Sequence, residues 1–160
     1  MADMELTSQA INAYKTLCAC LDEQKWKYEK DDENLFVFCT VTGEDLPIKI
    51  GVRFDPKREF VHLLSRLPLT IPEDKRIEAN ILISAINYVM VHGLFEYDVN
   101  KGEIDFRINT SFKDSLLSKE LFSYLIYVSC MTIDKYNDQL LMYSAGKLTA
   151  EKIIENIYKD

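Results

Sequence analysis

The stretch from Leu67 to Ile108 constrains this chain most, because it prescribes a helix start, a stop and a hairpin in immediate succession. Pro72 suits a first helical turn, where a missing N–H costs nothing, and Glu73 and Asp74 place negative charge at the positive end of the helix dipole. Ile77, Ile81, Ala85, Tyr88 and Val89 recur at helical spacing, with Leu82 and Ile86 widening the stripe, and this stripe is expected to face the core. The helix is expected to run to His92 and to close at Gly93, a residue free to take positive φ as a C-cap. Phe95, Tyr97 and Val99 then alternate with Glu96 and Asp98, and Ile104, Phe106 and Ile108 alternate with Asp105 and Arg107. Alternation of this kind gives two strands, each with one apolar face, joined at Asn100-Lys101-Gly102 with Gly102 as the left-handed residue of the loop.

The flanking segments complete an α+β pattern. Leu6, Ala10, Tyr14, Leu17 and Leu21 mark a first amphipathic helix from Thr7 or Ser8 to about Asp22. A short strand at Trp26 and Tyr28 precedes the turn Asp31-Asp32-Glu33-Asn34. Leu35 to Val41 is apolar on both faces, which suits a strand covered from two sides or one flanked by a dimer partner. Ile48, Ile50, Val52 and Phe54 share one face opposite Lys49, Gly51 and Arg53, and Phe60 to Leu64 forms the next strand. A long helical pattern spans about Ser115 to Ser144, and Gly146 ends it. Such a helix exceeds what a small sheet needs for cover, so part of it is expected to meet the first helix or another subunit. Thr149 is a fitting N-cap for a last helix carrying Ile153, Ile154, Ile157 and Tyr158. The order is α-β-β-β-β-α-β-β-α-α: an antiparallel sheet with helices packed on it, in one domain over residues 1–160, with 147–160 as a C-terminal helical extension.

Charge and motif content narrow the function classes. The 19 Lys and Arg against 26 Asp and Glu leave a net charge of -7, which repels a phosphate backbone and gives no long-range attraction to an anionic membrane. Neither nucleic acid nor membrane is expected as a partner. The N-terminal run Met1-Ala2-Asp3-Met4-Glu5 has no basic or apolar leader pattern, and a cytoplasmic location is expected. Cys18, Cys20, Cys39 and Cys130 lack a knuckle spacing and are expected to stay reduced. His62 sits in a strand and His92 at the end of the central helix, neither with a partner at ligand spacing. Nucleophile elbows and glycine-rich phosphate loops are absent, so no catalytic, cofactor-binding or metal-binding residues are assigned and no enzyme activity is expected.

Two positions stand apart. Asn87 lies between Ile86 and Tyr88 on an apolar helix, so its amide must either tie the helix to a neighbouring strand or loop, or meet a ligand. Arg107, on the polar face of the last strand, is expected to pair with Asp98, Asp105 or Glu96 rather than to hook a phosphate.

The strings Leu67-Pro68, Ile71-Pro72-Glu73-Asp74-Lys75-Arg76, Ile86-Asn87-Tyr88, Gly93-Leu94-Phe95-Glu96 and Gly102-Glu103-Ile104 ending in Phe106-Arg107 resemble the YbjN-like family of bacterial proteins. Trp26-x-Tyr28 and Asp134-Lys135-Tyr136 are similar to that family too, and the resemblance runs from Trp26 to Gly146. It implies a fold like that of class I type III secretion chaperones, commonly dimeric, and an association with sensory transduction or stress regulation without an established enzyme activity. The function expected is a non-enzymatic protein-binding module, chaperone-like or regulatory, working as a homodimer that holds a polypeptide partner. The alternative is a small-ligand sensor or an unrecognised enzyme with its pocket between the central helix and the sheet near Asn87.

Overall fold

The structure, a computed structural model, describes residues 7–159. Helix α1 (Ser8–Glu23) is followed by strands β1 (Tyr28–Asp31), β2 (Phe36–Thr42), β3 (Pro47–Asp55) and β4 (Phe60–Thr70). A 3-10 turn (Glu73–Lys75) leads into α2 (Arg76–Val89), then β5 (Leu94–Asp98), β6 (Glu103–Ser111), α3 (Lys119–Ser144) and α4 (Ala150–Ile157). The strands form one antiparallel six-stranded sheet in the order β1-β2-β3-β4-β6-β5. This is the α+β order expected from the periodicity.

The register sorts the strand residues into two faces. Val37, Val52, Leu63 and Ile108 align across four strands, as do Ser65, Phe106 and Phe95 across three, and all of them are buried. The helices cover this face. The Thr7 hydroxyl accepts the Ala10 N–H at 3.2 Å and so caps α1, which buries Ala10, Ala13, Tyr14, Leu17, Cys20 and Leu21. Leu6 and the N-terminal run through Glu5 lie outside the described residues. Helix α3, about 39 Å long at 1.5 Å per residue, packs on β4 and β6 and along α1. Ser118 caps its start and α4 lies against α2, so residues 150–157 are docked helix. Among the described residues no helix is long and apolar enough to cross a membrane.

Four local expectations are corrected. Helix α2 faces the core with Ala79, Leu82, Ile83 and Ile86, whereas Ile77 and Tyr88 are 74% and 79% exposed. The helix is apolar almost all round, so periodicity alone selects the wrong stripe. Its α-helical residues end at Val89, with Met90 already extended, so Gly93 is no C-cap and His92 no helix-terminal cation. Gly93 does take positive φ (83°), but at the start of β5, where a side chain would collide with the Phe106 ring. Strand β4 runs past Leu64 to Thr70. Pro68 is tolerated there because pairing with β3 stops at Leu64 and the register with β6 slips between Arg66 and Thr70. Finally, α3 begins at Lys119 rather than near Ser115.

Candidate functional site

The second face of the sheet carries no helix. Its central row reads Glu29, Phe38, Gly51, Leu64, Arg107 and Leu94 across β1, β2, β3, β4, β6 and β5; the row beside it reads Asp31, Phe36, Arg53, His62 and Asn109. Phe36 reaches diagonally over Gly51, where an added Cβ would come within 3.3 Å of its ring. An aromatic laid over a strand glycine is ordinary sheet construction, yet Phe36 stays 36% exposed and Leu64 40% exposed. Between them opens a groove of about 620 Å³, lined chiefly by Phe36, Phe38, Gly51, Leu64, Arg53 and Lys49. Its apolar floor is uncovered in this chain.

The charges on this face are paired at one end and unpaired at the other. Towards β6 and β5, Arg66 pairs with Asp105 at 2.9 Å and with Glu103 at 3.1 Å, and Arg107 pairs with Glu96 at 2.7 Å. The Arg107 pairing is one of those expected across the hairpin, and it places that residue at the border of the groove. His62 Nδ1 lies 2.9 Å from Asn109 Oδ1 with its ring stacked on Phe60.

Asn87 does something different. Its Nδ2 donates to the Phe95 carbonyl at 2.9 Å, and its Oδ1 accepts the Phe95 N–H at 2.8 Å. Strand β5 is the last in the sheet, and a residue's N–H and C=O point to the same side of a strand, here away from β6. The Asn87 amide thus serves the outer edge of β5 as a neighbouring strand would. Phe95 meets Phe106 and Tyr136 edge-on at 5.3 and 5.8 Å, so the motif residues Asn87, Phe95, Phe106 and Tyr136 form one brace where the expected ligand pocket would begin. Asn87 and Arg107 therefore stand in separate settings, one bonded at the helix–sheet junction and one on the open face. Asp134, from the late motif, accepts the Glu44 N–H at 3.2 Å and fastens the β2–β3 turn to α3.

No sequence-family model and no curated protein matches the chain. Solved structures do. A chain of the HopA1–SchA chaperone–effector complex superposes with a TM-score of 0.59 at 11% identity, covering 83% of this chain and 98% of that one. YbjN from E. coli superposes at 0.58 and 13% identity, covering 81% and 94%, and a chain of the ExsC–ExsE complex at 0.53 and 11%, covering 78% and 90%. This is the type III secretion chaperone fold, shared with YbjN. At such identities the likeness is one of fold.

On that fold a second apolar surface is the outer side of α2, where Ile77, Ile81, Tyr88 and Val91 are exposed and Tyr158, just past α4, approaches Tyr88 with ring centroids 6.3 Å apart. The four cysteines are free thiols. Cys20 is buried beside Gln24 and Ser123, while Cys18 lies near Tyr14 and Tyr28, on opposite flanks of α1 as a two-residue spacing on a helix requires. His92, beyond the end of α2, stacks on Tyr124.

Sequence reasoning missed the open groove as a site. A signal was present: Phe36 and Phe38 share a parity opposite to the buried Val37 and Cys39, and Leu64 has the parity of His62 and Arg66. Only the register shows that these residues fall in adjoining rows around a glycine.

Proposed function

We propose that the protein is a non-enzymatic polypeptide-binding module, chaperone-like or regulatory, that holds a partner segment on the open face of its sheet. The observation that carries this reading is the uncovered groove of about 620 Å³ between Phe36, Phe38 and Leu64. Half-exposed large apolar side chains gathered at one place, bordered by charged groups, have the composition of a protein-recognition surface. The fold supports the reading, since two of the structures sharing it are complexes: a chaperone with its effector, and ExsC with ExsE. In this reading Arg107 borders the docking surface and Asn87 maintains the sheet edge beside it.

The protein acts as a homodimer in this proposal, with the outer side of α2 meeting a second copy. Ile77, Ile81 and Tyr88 on α2 and Val91 just past it supply the exposed apolar side chains that such a contact needs, and a stable interface should bury more than about 1,000 Å² in total. The four free thiols support a reducing compartment, the cytoplasm.

The test is affinity capture from source cells, followed by mass spectrometry, with the wild-type chain and a Leu64→Asn variant in parallel. Recovery of one or a few proteins by the wild type, and their loss from the variant, is the expected result. Equal recovery by both, or recovery of no protein, would refute the open face as the docking surface.

A further inference from the structure

The chain carries a net charge of -7, yet the unpaired charges that line the open groove, Lys49 and Arg53, are positive. Lys49 and Arg53 are exposed on β3, and neither has an ion-pair partner among the described residues. Of the carboxylates on the same face, Glu96, Glu103 and Asp105 are engaged by Arg66 and Arg107 and Asp55 by Arg58, while Glu29 and Asp31 stand on β1, one strand beyond Phe38 and Phe36 and outside the groove lining. Lys49 and Arg53 stand on either side of Gly51, four residues apart and so about 13 Å apart along the strand. Between them lies the apolar floor of Phe36, Phe38 and Leu64.

We infer that the segment bound here is acidic as well as apolar, with the pattern acid-x-apolar-x-acid: an apolar side chain enters the groove above Gly51 and flanking carboxylates meet Lys49 and Arg53. This rests on the reading of the open face as a polypeptide-docking surface. An extended segment advances about 3.3 Å per residue, so positions i and i+4 are about 13 Å apart and position i+2 falls on the same side between them, matching cation, glycine and cation along β3. Charge complementarity also selects the partner class. A phosphate backbone would gain only two free cations while meeting the carboxylates on β5 and β6 at one end, Glu29 and Asp31 on β1 at the other, and the field of an acidic protein, whereas a short acidic peptide places charge only where the cations stand.

A random dodecapeptide library displayed on phage and panned against the full chain tests this, with affinities of the enriched peptides measured by fluorescence polarisation. The expected result is enrichment of acid-x-apolar-x-acid sequences. Their affinity should fall about tenfold or more in Lys49→Glu/Arg53→Glu, fall less in Lys49→Gln/Arg53→Gln, and weaken with salt. Both positions are exposed, so these variants retain the fold. Peptides that bind, lose affinity in Leu64→Asn, but lack acidic residues or ignore the charge reversal would overturn the acidic inference and leave the docking surface standing. If no peptide is enriched, or Leu64→Asn leaves binding unchanged, both fail. Single-stranded DNA that competes with the peptides and is lost in the charge-reversal variant would overturn the inference in favour of a nucleic-acid site.

Discussion

Replacing Asn87 by alanine removes two hydrogen bonds at once, because the amide donates to the Phe95 carbonyl at 2.9 Å and accepts the Phe95 N–H at 2.8 Å. Phe95 is buried, and neither backbone group has β6 on its outer side. A buried backbone group left without a partner costs about 1–3 kcal/mol. The junction is only partly buried, so water recovers some of this for both groups, and the variant should lose about 2–4 kcal/mol of stability. For a chain of this size that corresponds to a fall in Tm of roughly 5–15 °C. Urea denaturation followed by circular dichroism measures the loss, and hydrogen exchange at the Phe95 amide localises it. Asn87→Asp sharpens the test. Its carboxylate still accepts the Phe95 N–H but turns a second oxygen towards the Phe95 carbonyl, so it should be at least as destabilised at neutral pH. It should recover in part below about pH 4, where a protonated carboxyl can donate again. An Asn87→Ala variant within about 0.5 kcal/mol of wild type, in the range of ordinary surface substitutions, would refute the role of the amide as an edge-strand partner.

Other outcomes follow from the same structure. Ile81→Glu places a charge at the centre of the exposed apolar side of α2; with that side joining two copies as proposed, light scattering should show a dimer for the wild type and the 18.6 kDa monomer for the variant, and a monomeric wild type would refute that contact. Burial pushes the Cys39 and Cys130 thiols up to about 11. At pH 8 such thiols are ionised roughly one part in a thousand, against about one in four for an ordinary thiol, so iodoacetamide should label them at least about 100-fold more slowly in the native than in the unfolded chain. The unfolded chain ionises first as pH rises, so the stability these thiols contribute is whole below about pH 8.5 and declines towards about 11. Asn137 is buried in α3, and neither its Nδ2 nor its Oδ1 has a hydrogen-bond partner among the described residues. Asn137→Leu should therefore raise stability by about 1 kcal/mol or more in urea melts, and a loss would show that the amide is bonded in solution.

Much of the fold is legible in the sequence because its local signals agree. Thr7 and Thr149 cap helices where the apolar periodicity begins, and alternation along β3 and β6 separates their buried from their solvent faces. What stays hidden depends on contacts between elements. Helix α2 carries Ile77 and Ile81 on one side and Leu82, Ile83 and Ile86 on the other, and only docking against β5 decides which side is inside. Gly93 signals positive φ correctly, but it leads into β5, where the Phe106 ring leaves no room for a Cβ, rather than ending a helix. The open groove is a product of register: Phe36 and Phe38, Lys49, Gly51 and Arg53, and Leu64 come from three strands and read as unrelated surface positions until the strands are aligned.

The central claim is that the open face holds a foreign polypeptide while α2 meets a second copy. Placing the photo-crosslinking residue p-benzoylphenylalanine at Phe60, exposed on the open face, and separately at Ile81 on α2 tests both halves in source cells. The account predicts that the adduct from position 60 contains a different protein, joined through a segment that carries acidic and apolar residues, and that the adduct from position 81 is this chain joined to itself. Adducts from position 60 that contain only this chain, or no polypeptide, would contradict it.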